Sequence, residues 1–188
     1  MLGVKNVTHE TIGATGALAL CAIAGADVLT TAGCVVVSVL GSRLPDADQH
    51  GSKIHRKTGW ERRNPLIALL GFLARIPLVV FASIVRHRGA THWLSTGVAV
   101  TVIGTVAAGA VYAALVLPVA AGLGAGYTLH LLADGCTAHG VPLLGPFSRR
   151  KRHLLPKGGR IRTGSGRETV VCLAAMCVAG LVVALTWA

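Results

Sequence analysis

Apolar residues in this chain run in long blocks rather than in alternation. The first block, Ile12–Ser42, is 31 residues long and is interrupted only by Asp27. A helix needs about 20 residues to span the hydrocarbon core. The block is therefore long for one upright passage and short for two, and it suits either two short helices turning near Gly25–Asp27 or one crossing with an extension. Leu66–Val85 follows, twenty residues with Arg75 at its centre and Pro77 beside it. A central arginine is costly in lipid, so a kinked, interfacial or re-entrant helix is at least as good a reading as a full span. Trp93–Ala133 is 41 residues without a formal charge, and Pro118 divides it into two passages whose ends lie on one face. Thr169–Ala188 is the last span. Between the blocks, Arg43–Pro65 and Pro142–Gly166 are polar, basic and punctuated by Pro and Gly, which marks them as extramembrane loops. The pattern predicts one domain over 1–188, an all-α integral membrane bundle of about four to six short helices.

Composition agrees and adds orientation. Charged residues are only 13% and hydrophobic residues 53%, whereas a soluble domain carries about 25% charged residues. Disorder and a disulfide scaffold are excluded, since disorder requires low hydrophobicity and a scaffold more than five cysteines. Eighteen Lys and Arg oppose seven Asp and Glu, a net charge of +11. Six of the basic residues lie in Arg43–Arg63, eight in Arg149–Arg167, and two flank His87. Basic residues clustered in short loops stay cytoplasmic, so both large loops are expected there, against anionic lipid headgroups. Nucleic acid is not expected as a partner, because aromatics are only 4% and the basic loops abut apolar spans. The start, MLGVKNVTHETI, lacks the basic opening of a secretory signal, and an uncleaved N-terminus is expected. Cys21, Cys34, Cys136, Cys172 and Cys177 form no CxxC pair and read as small hydrophobes.

Candidate chemistry collects where apolar blocks meet polar segments. His9 precedes the first block, and Asp46 and Asp48 in LPDAD follow it. His87 and His92 in HRGATH open the uncharged block, His130 and Asp134 close it, and Glu168 begins the final span. Four of the seven acidic residues occupy these boundaries. His130 and Asp134 are four apart, so a helix sets them on one side, one turn apart, and imidazole with carboxylate is a common pair of ligands for zinc and other divalent ions. Asp46 and Asp48 beside Pro45 can both be aimed at a metal, or one can orient a ligating histidine. Gly89 permits a tight turn between His87 and His92. Together these groups suffice for one metal, or for two about 4 Å apart. His50, His55, His139 and His153 fall in loops and read as solvated, and Glu10 as a helix-start residue.

The order of these motifs resembles a known family. TH (Thr8, His9), LPDAD, HRGATHW, GYTLHLLADGCTAHGVPLLGPF (Gly126–Phe147) and RTGSGRE (Arg162–Glu168) are similar to the YdjM-like proteins, LexA-regulated membrane-bound bacterial proteins of the inner membrane regarded as metal-dependent hydrolases. The resemblance runs from Thr8 to Glu168, and one departure is Trp93, where such proteins typically carry serine. It implies hydrolysis at a metal centre, with HxxxD spacing similar to that of zinc-dependent phospholipase C enzymes. Carried over by position, it implies His9, Asp46, His92, His130 and Asp134 as metal ligands. Asp48, His87 and Glu168 become the supporting or acid–base groups.

The expected activity is metal-dependent hydrolysis at the cytoplasmic headgroup layer. The cofactor would be a divalent metal, zinc before others, as one or two ions. A metal-activated water would attack a phosphoester, a lipid headgroup being the simplest candidate, with Asp48 or Glu168 taking the proton and Arg88 contacting the anionic substrate. The alternative is a non-enzymatic membrane protein that binds or transports a divalent metal. Transporters place ligands at the bilayer midplane, whereas here they stand at segment ends.

Overall fold

The computed structural model describes residues 3–48 and 89–187, with side chains for 7–47 and 89–187. Five helices make up the described chain: α1 (Gly3–Ile23), α2 (Val28–Gly41), α3 (Leu94–Val111), α4 (Val116–Gly135) and α5 (Gly166–Trp187). Among the described residues there is no strand, only isolated bridges between Thr137 and Ile161 and between Val141 and Arg152 that fold the basic loop back on itself. The expected helical bundle is what forms. The segment Leu66–Val85 lies outside the described residues, as does the loop from 49 to 65.

The first apolar block resolves into a hairpin of two short helices. Gly25 takes φ 64°, a left-handed value that suits glycine, and ends α1. Asp27 then caps α2, its carboxylate accepting from the backbone N–H groups of Leu29 at 2.9 Å and Thr30 at 3.0 Å. The second break differs from the sequence expectation. The chain leaves helix at Tyr112, extended at φ −161°, and passes through a 3-10 turn, Ala113–Leu115. Pro118 instead lies in the first turn of α4, where its missing N–H has no partner to lose.

α1 packs on α2, α4 and α5, and α4 packs on α1, α2 and α3. Close approach between α2 and α4 depends on glycine. An added Cβ on Gly126 would stand 2.1 Å from the Ser38 carbonyl oxygen, and one on Gly122 would stand 2.8 Å from that of Cys34. Small residues at such crossings let backbones meet, as in membrane helix pairs. Three segments, Leu94–Val111, Ala113–Gly135 and Gly166–Trp187, are long and apolar enough to cross a membrane. Their outer faces expose Val102, Ile103 and Val106 on α3 and Leu173, Leu181 and Leu185 on α5. Such faces match lipid tails rather than water. The buried apolar cluster of Tyr127, Leu131 and Val141 sits at the other extreme, at the end of the bundle where α4 finishes.

Candidate metal centre

Alternating helix direction brings five chain positions to one end of the bundle. α1 starts there with His9, and α2 ends there, leading through Ser42 into the 3-10 turn Pro45–Asp48 that carries Asp46. The turn Ala90–His92 enters α3 at the same end, and α4 delivers His130 and Asp134 in its last two turns. His92 and His130 are buried, as are Asp46 and Asp134.

Their functional atoms converge. His92 Nε2 lies 3.4 Å from Asp134 Oδ2 and 3.8 Å from Asp46 Oδ1. His9 Nε2 stands 3.5 Å from Asp134 Oδ1, and His130 Nε2 stands 4.0 Å from Asp46 Oδ1. The His9 and His130 rings stack with centroids 3.9 Å apart, and His92 meets His130 edge-on at 5.6 Å. Two overlapping triads result, His9 with Asp46 and His130, and His92 with His130 and Asp134, each offering ligand atoms within 4.8 Å of one another.

The hydrogen bonds around the cluster set which nitrogen faces inward. His130 Nδ1 is 2.7 Å from the Ser42 carbonyl oxygen. A carbonyl only accepts, so Nδ1 carries the proton and Nε2 presents its lone pair. That Nε2 is buried with no hydrogen-bond partner among the described residues, and His9 Nδ1 is in the same state. A buried polar atom without a partner is costly. A cation removes that cost. Donors about 2.0–2.2 Å from a shared tetrahedral ion stand roughly 3.3–3.6 Å apart, and the His9–Asp134 and His92–Asp134 distances of 3.5 and 3.4 Å match. Two buried carboxylates also balance a divalent charge. By geometry and by chemistry the donor set fits such an ion.

A family model described as YdjM inner membrane protein matches residues 4–188. The chain belongs to that family. No curated protein and no solved structure matches it. Membership in the YdjM family, with the three apolar helices, makes this a membrane protein.

Of the residues singled out in sequence, His9, Asp46, His92, His130 and Asp134 come together in this YdjM-family chain. Glu168 stands beside them. Its carboxylate accepts from the Thr8 hydroxyl and from the Gly164 N–H, which ties the start of α5 to the residue next to His9. His87, Arg88 and the Asp48 side chain lie outside the described residues, as do His50 and His55. His139 is exposed, and His153 Nε2 is 3.3 Å from the Ala138 carbonyl at the surface. Burial pushes the Cys136 thiol above its ordinary value, and Cys136 belongs to neither of the two triads.

Sequence reasoning missed the groups that aim the ligands. The Tyr127 hydroxyl donates to the Thr91 carbonyl, and Thr91 Oγ1 lies 3.0 Å from His92 Nδ1. Tyr127 belongs to α4 one turn before His130 and Leu131, so one helix positions candidate ligands on two segments. Tyr127 also packs over Gly97, where a Cβ would come within 2.6 Å of its ring. Arg43 pairs with Glu10 at 3.1 Å and closes the rim between α1 and α2. Trp93, the departure from the family pattern, lies over Gly145, its indole 2.2 Å from where a Cβ would stand. There it pins the basic loop, as does Ser95 Oγ donating to the Gly145 carbonyl at 2.7 Å.

Proposed function

We propose that this protein is a metal-dependent hydrolase whose buried His/Asp cluster, at the cytoplasmic end of the bundle, cleaves a phosphoester at headgroup depth. The carrying observation is His130, whose Nδ1 is committed to the Ser42 carbonyl while Nε2 points, buried and without a hydrogen-bond partner among the described residues, toward Asp46. His9, His92, His130, Asp46 and Asp134 would hold the ion, with zinc favoured by three imidazoles and two carboxylates.

A bound divalent ion supplies a water of lowered pKa and a positive charge for a phosphoryl oxygen. The chain's own residues do the rest. The Ser42 carbonyl and Thr91 Oγ1 hold the far nitrogens of His130 and His92, as the outer partners of metal ligands commonly do. Glu168, through Thr8, steadies the turn that carries His9. Asp48, in the same 3-10 turn as Asp46, is assigned the proton released by the attacking water, and Arg88 the anionic oxygens of the substrate. The basic residues of Arg149–Arg167 support the cytoplasmic orientation.

Elemental analysis of the purified full chain tests the reading, paired with hydrolysis of bis(p-nitrophenyl) phosphate. Stoichiometric zinc that His130→Ala with Asp134→Ala removes, together with hydrolysis lost in the same variant and restored to chelator-stripped wild type by zinc, is the expected result. Wild type without stoichiometric metal would sink the proposal. Bound metal with no hydrolysis of any phosphoester would leave a metal-binding protein in its place.

A further inference from the structure

A second feature opens beside the metal cluster. Between α1, α4 and α5 lies an apolar groove of about 400 Å³. On α1 its wall is Ile12, Gly16 and Ala19, which follow His9 at intervals of three, four and three residues. On α5 its wall is Val171, Ala175 and Val178, which follow Glu168 by the same intervals. Residues so spaced share one helix face. Both walls therefore start at the polar cluster and run away from it along the bundle. The α1 wall covers about 10 Å at about 1.5 Å per residue.

Leu129 forms the floor. Its Cδ1 lies 2.3 Å from where a Cβ on Gly16 would stand, and His130 is its neighbour in the chain. Thr15 lines the groove too, but its hydroxyl donates to the Thr11 carbonyl of its own helix at 2.8 Å. That leaves the groove without a free donor for a polar guest. An apolar guest suits it, and a bilayer is the source at hand, because the α5 wall belongs to Gly166–Trp187, a helix long and apolar enough to cross a membrane.

We infer that this groove seats one acyl chain of a membrane phospholipid whose phosphate lies at the His/Asp cluster. The placing of the phosphate rests on the hydrolytic reading above; the seating of the chain rests on the groove. The two walls act as a guide that aligns an amphiphile with the cluster, apolar part along α1 and α5, phosphate at His9. The substrate class is then a phospholipid, in preference to a soluble phosphoester of similar headgroup.

The test uses the full chain in vesicles containing a phosphatidylglycerol with a diazirine midway along one acyl chain. After irradiation, labelled peptides are mapped by mass spectrometry, with zinc content measured in parallel. Label concentrated on residues 12–19 and 171–179, above that on the exposed face of α3 around Val102 and Val106, is expected. Ala175→Phe overfills the groove and should lower groove labelling roughly tenfold with zinc content unchanged. Val178→Phe narrows the groove from its outer wall and repeats the comparison if Ala175→Phe does not fold. Labelling no higher than on α3, labelling unchanged in both variants, or cross-linking of two copies through a cysteine at position 175 would overturn the inference. Groove labelling in a protein without metal would remove the hydrolytic reading and leave the acyl-chain site standing. An unlabelled groove with zinc bound would do the reverse.

Discussion

At the scale of single residues, the cluster depends on groups that supply no candidate ligand atom. Tyr127 offers no ligand atom of its own, yet its hydroxyl holds the Thr91 carbonyl beside His92. Tyr127→Phe removes one hydrogen bond, costs about 1 kcal/mol of stability, and should weaken zinc affinity about 10- to 100-fold, the usual effect of losing an outer partner of a ligand. Competition with a chelator of known affinity measures it; unchanged affinity would mean that Thr91 orients His92 unaided. Glu168→Gln bears on the opposite rim. It keeps the carbonyl oxygen that can accept from Thr8 or Gly164 but loses the charge, so zinc content should persist. Glu168→Ala frees α1 from α5 and should lower it. At the far end of the hairpin, the Thr30 hydroxyl, followed by the Thr30 and Leu29 backbone N–H groups, holds the exposed Asp27 carboxyl below its ordinary 3.8. A group whose folded value is depressed stabilises above its unfolded value and loses that contribution as pH falls through the folded one. Asp27→Ala should therefore lower the thermal midpoint at neutral pH, with the gap to wild type closing as pH drops below about 4.

At the scale of elements, one helix crossing sets the site. Gly126 lets α4 approach α2 so closely that its absent Cβ would stand 2.1 Å from Ser38 O and 2.9 Å from Ser42 N. Ser42 is the residue whose carbonyl orients His130. Gly126→Ala should separate the helices, cost about 1–3 kcal/mol as overpacked sites do, and release zinc by moving Ser42. Gly124→Ala, where among the described residues a Cβ would meet only Thr101 Cγ2 at 3.7 Å, gives the matched control and should change neither. Thermal unfolding and metal content of the two variants decide between a specific contact and general intolerance of alanine in α4. The crossing also explains what sequence could and could not reveal. Long apolar blocks gave away the helices, and charges confined to block ends gave away His9, Asp46, His130 and Asp134, because ionisable groups avoid the interior of apolar spans. The Ser42 carbonyl left no trace, since every residue has one. Tyr127 hid among apolar neighbours as an ordinary core aromatic. Pro118 misplaced the α3–α4 break by a few residues because proline is as welcome in a first turn as in a loop.

At the scale of the whole molecule, the five helices of the described residues alternate so that His9, Asp46, His92, His130, Asp134 and the loop Pro142–Gly166 share one end, while the Ala24–Asp27 and Tyr112–Leu115 turns share the other. This arrangement ties site position to membrane orientation. In the proposed orientation the eight basic residues in Arg149–Arg167 would hold their end at the cytoplasm, and with it the cluster. Single cysteines at 114 and 158, placed in a background with the five native cysteines replaced, report on the two ends. Among the described residues nothing lies within 4 Å of where a Cβ on Gly158 would stand, so a cysteine there should accept label. A membrane-impermeant maleimide applied to intact spheroplasts should label position 114 and leave 158 unmodified, and inverted vesicles should reverse the pattern. Labelling of both positions from the same side would mean that α4, which alone separates them, does not cross the membrane. The reverse pattern would move the cluster to the outer face of the membrane, where its phosphoester would have to come from the outer leaflet.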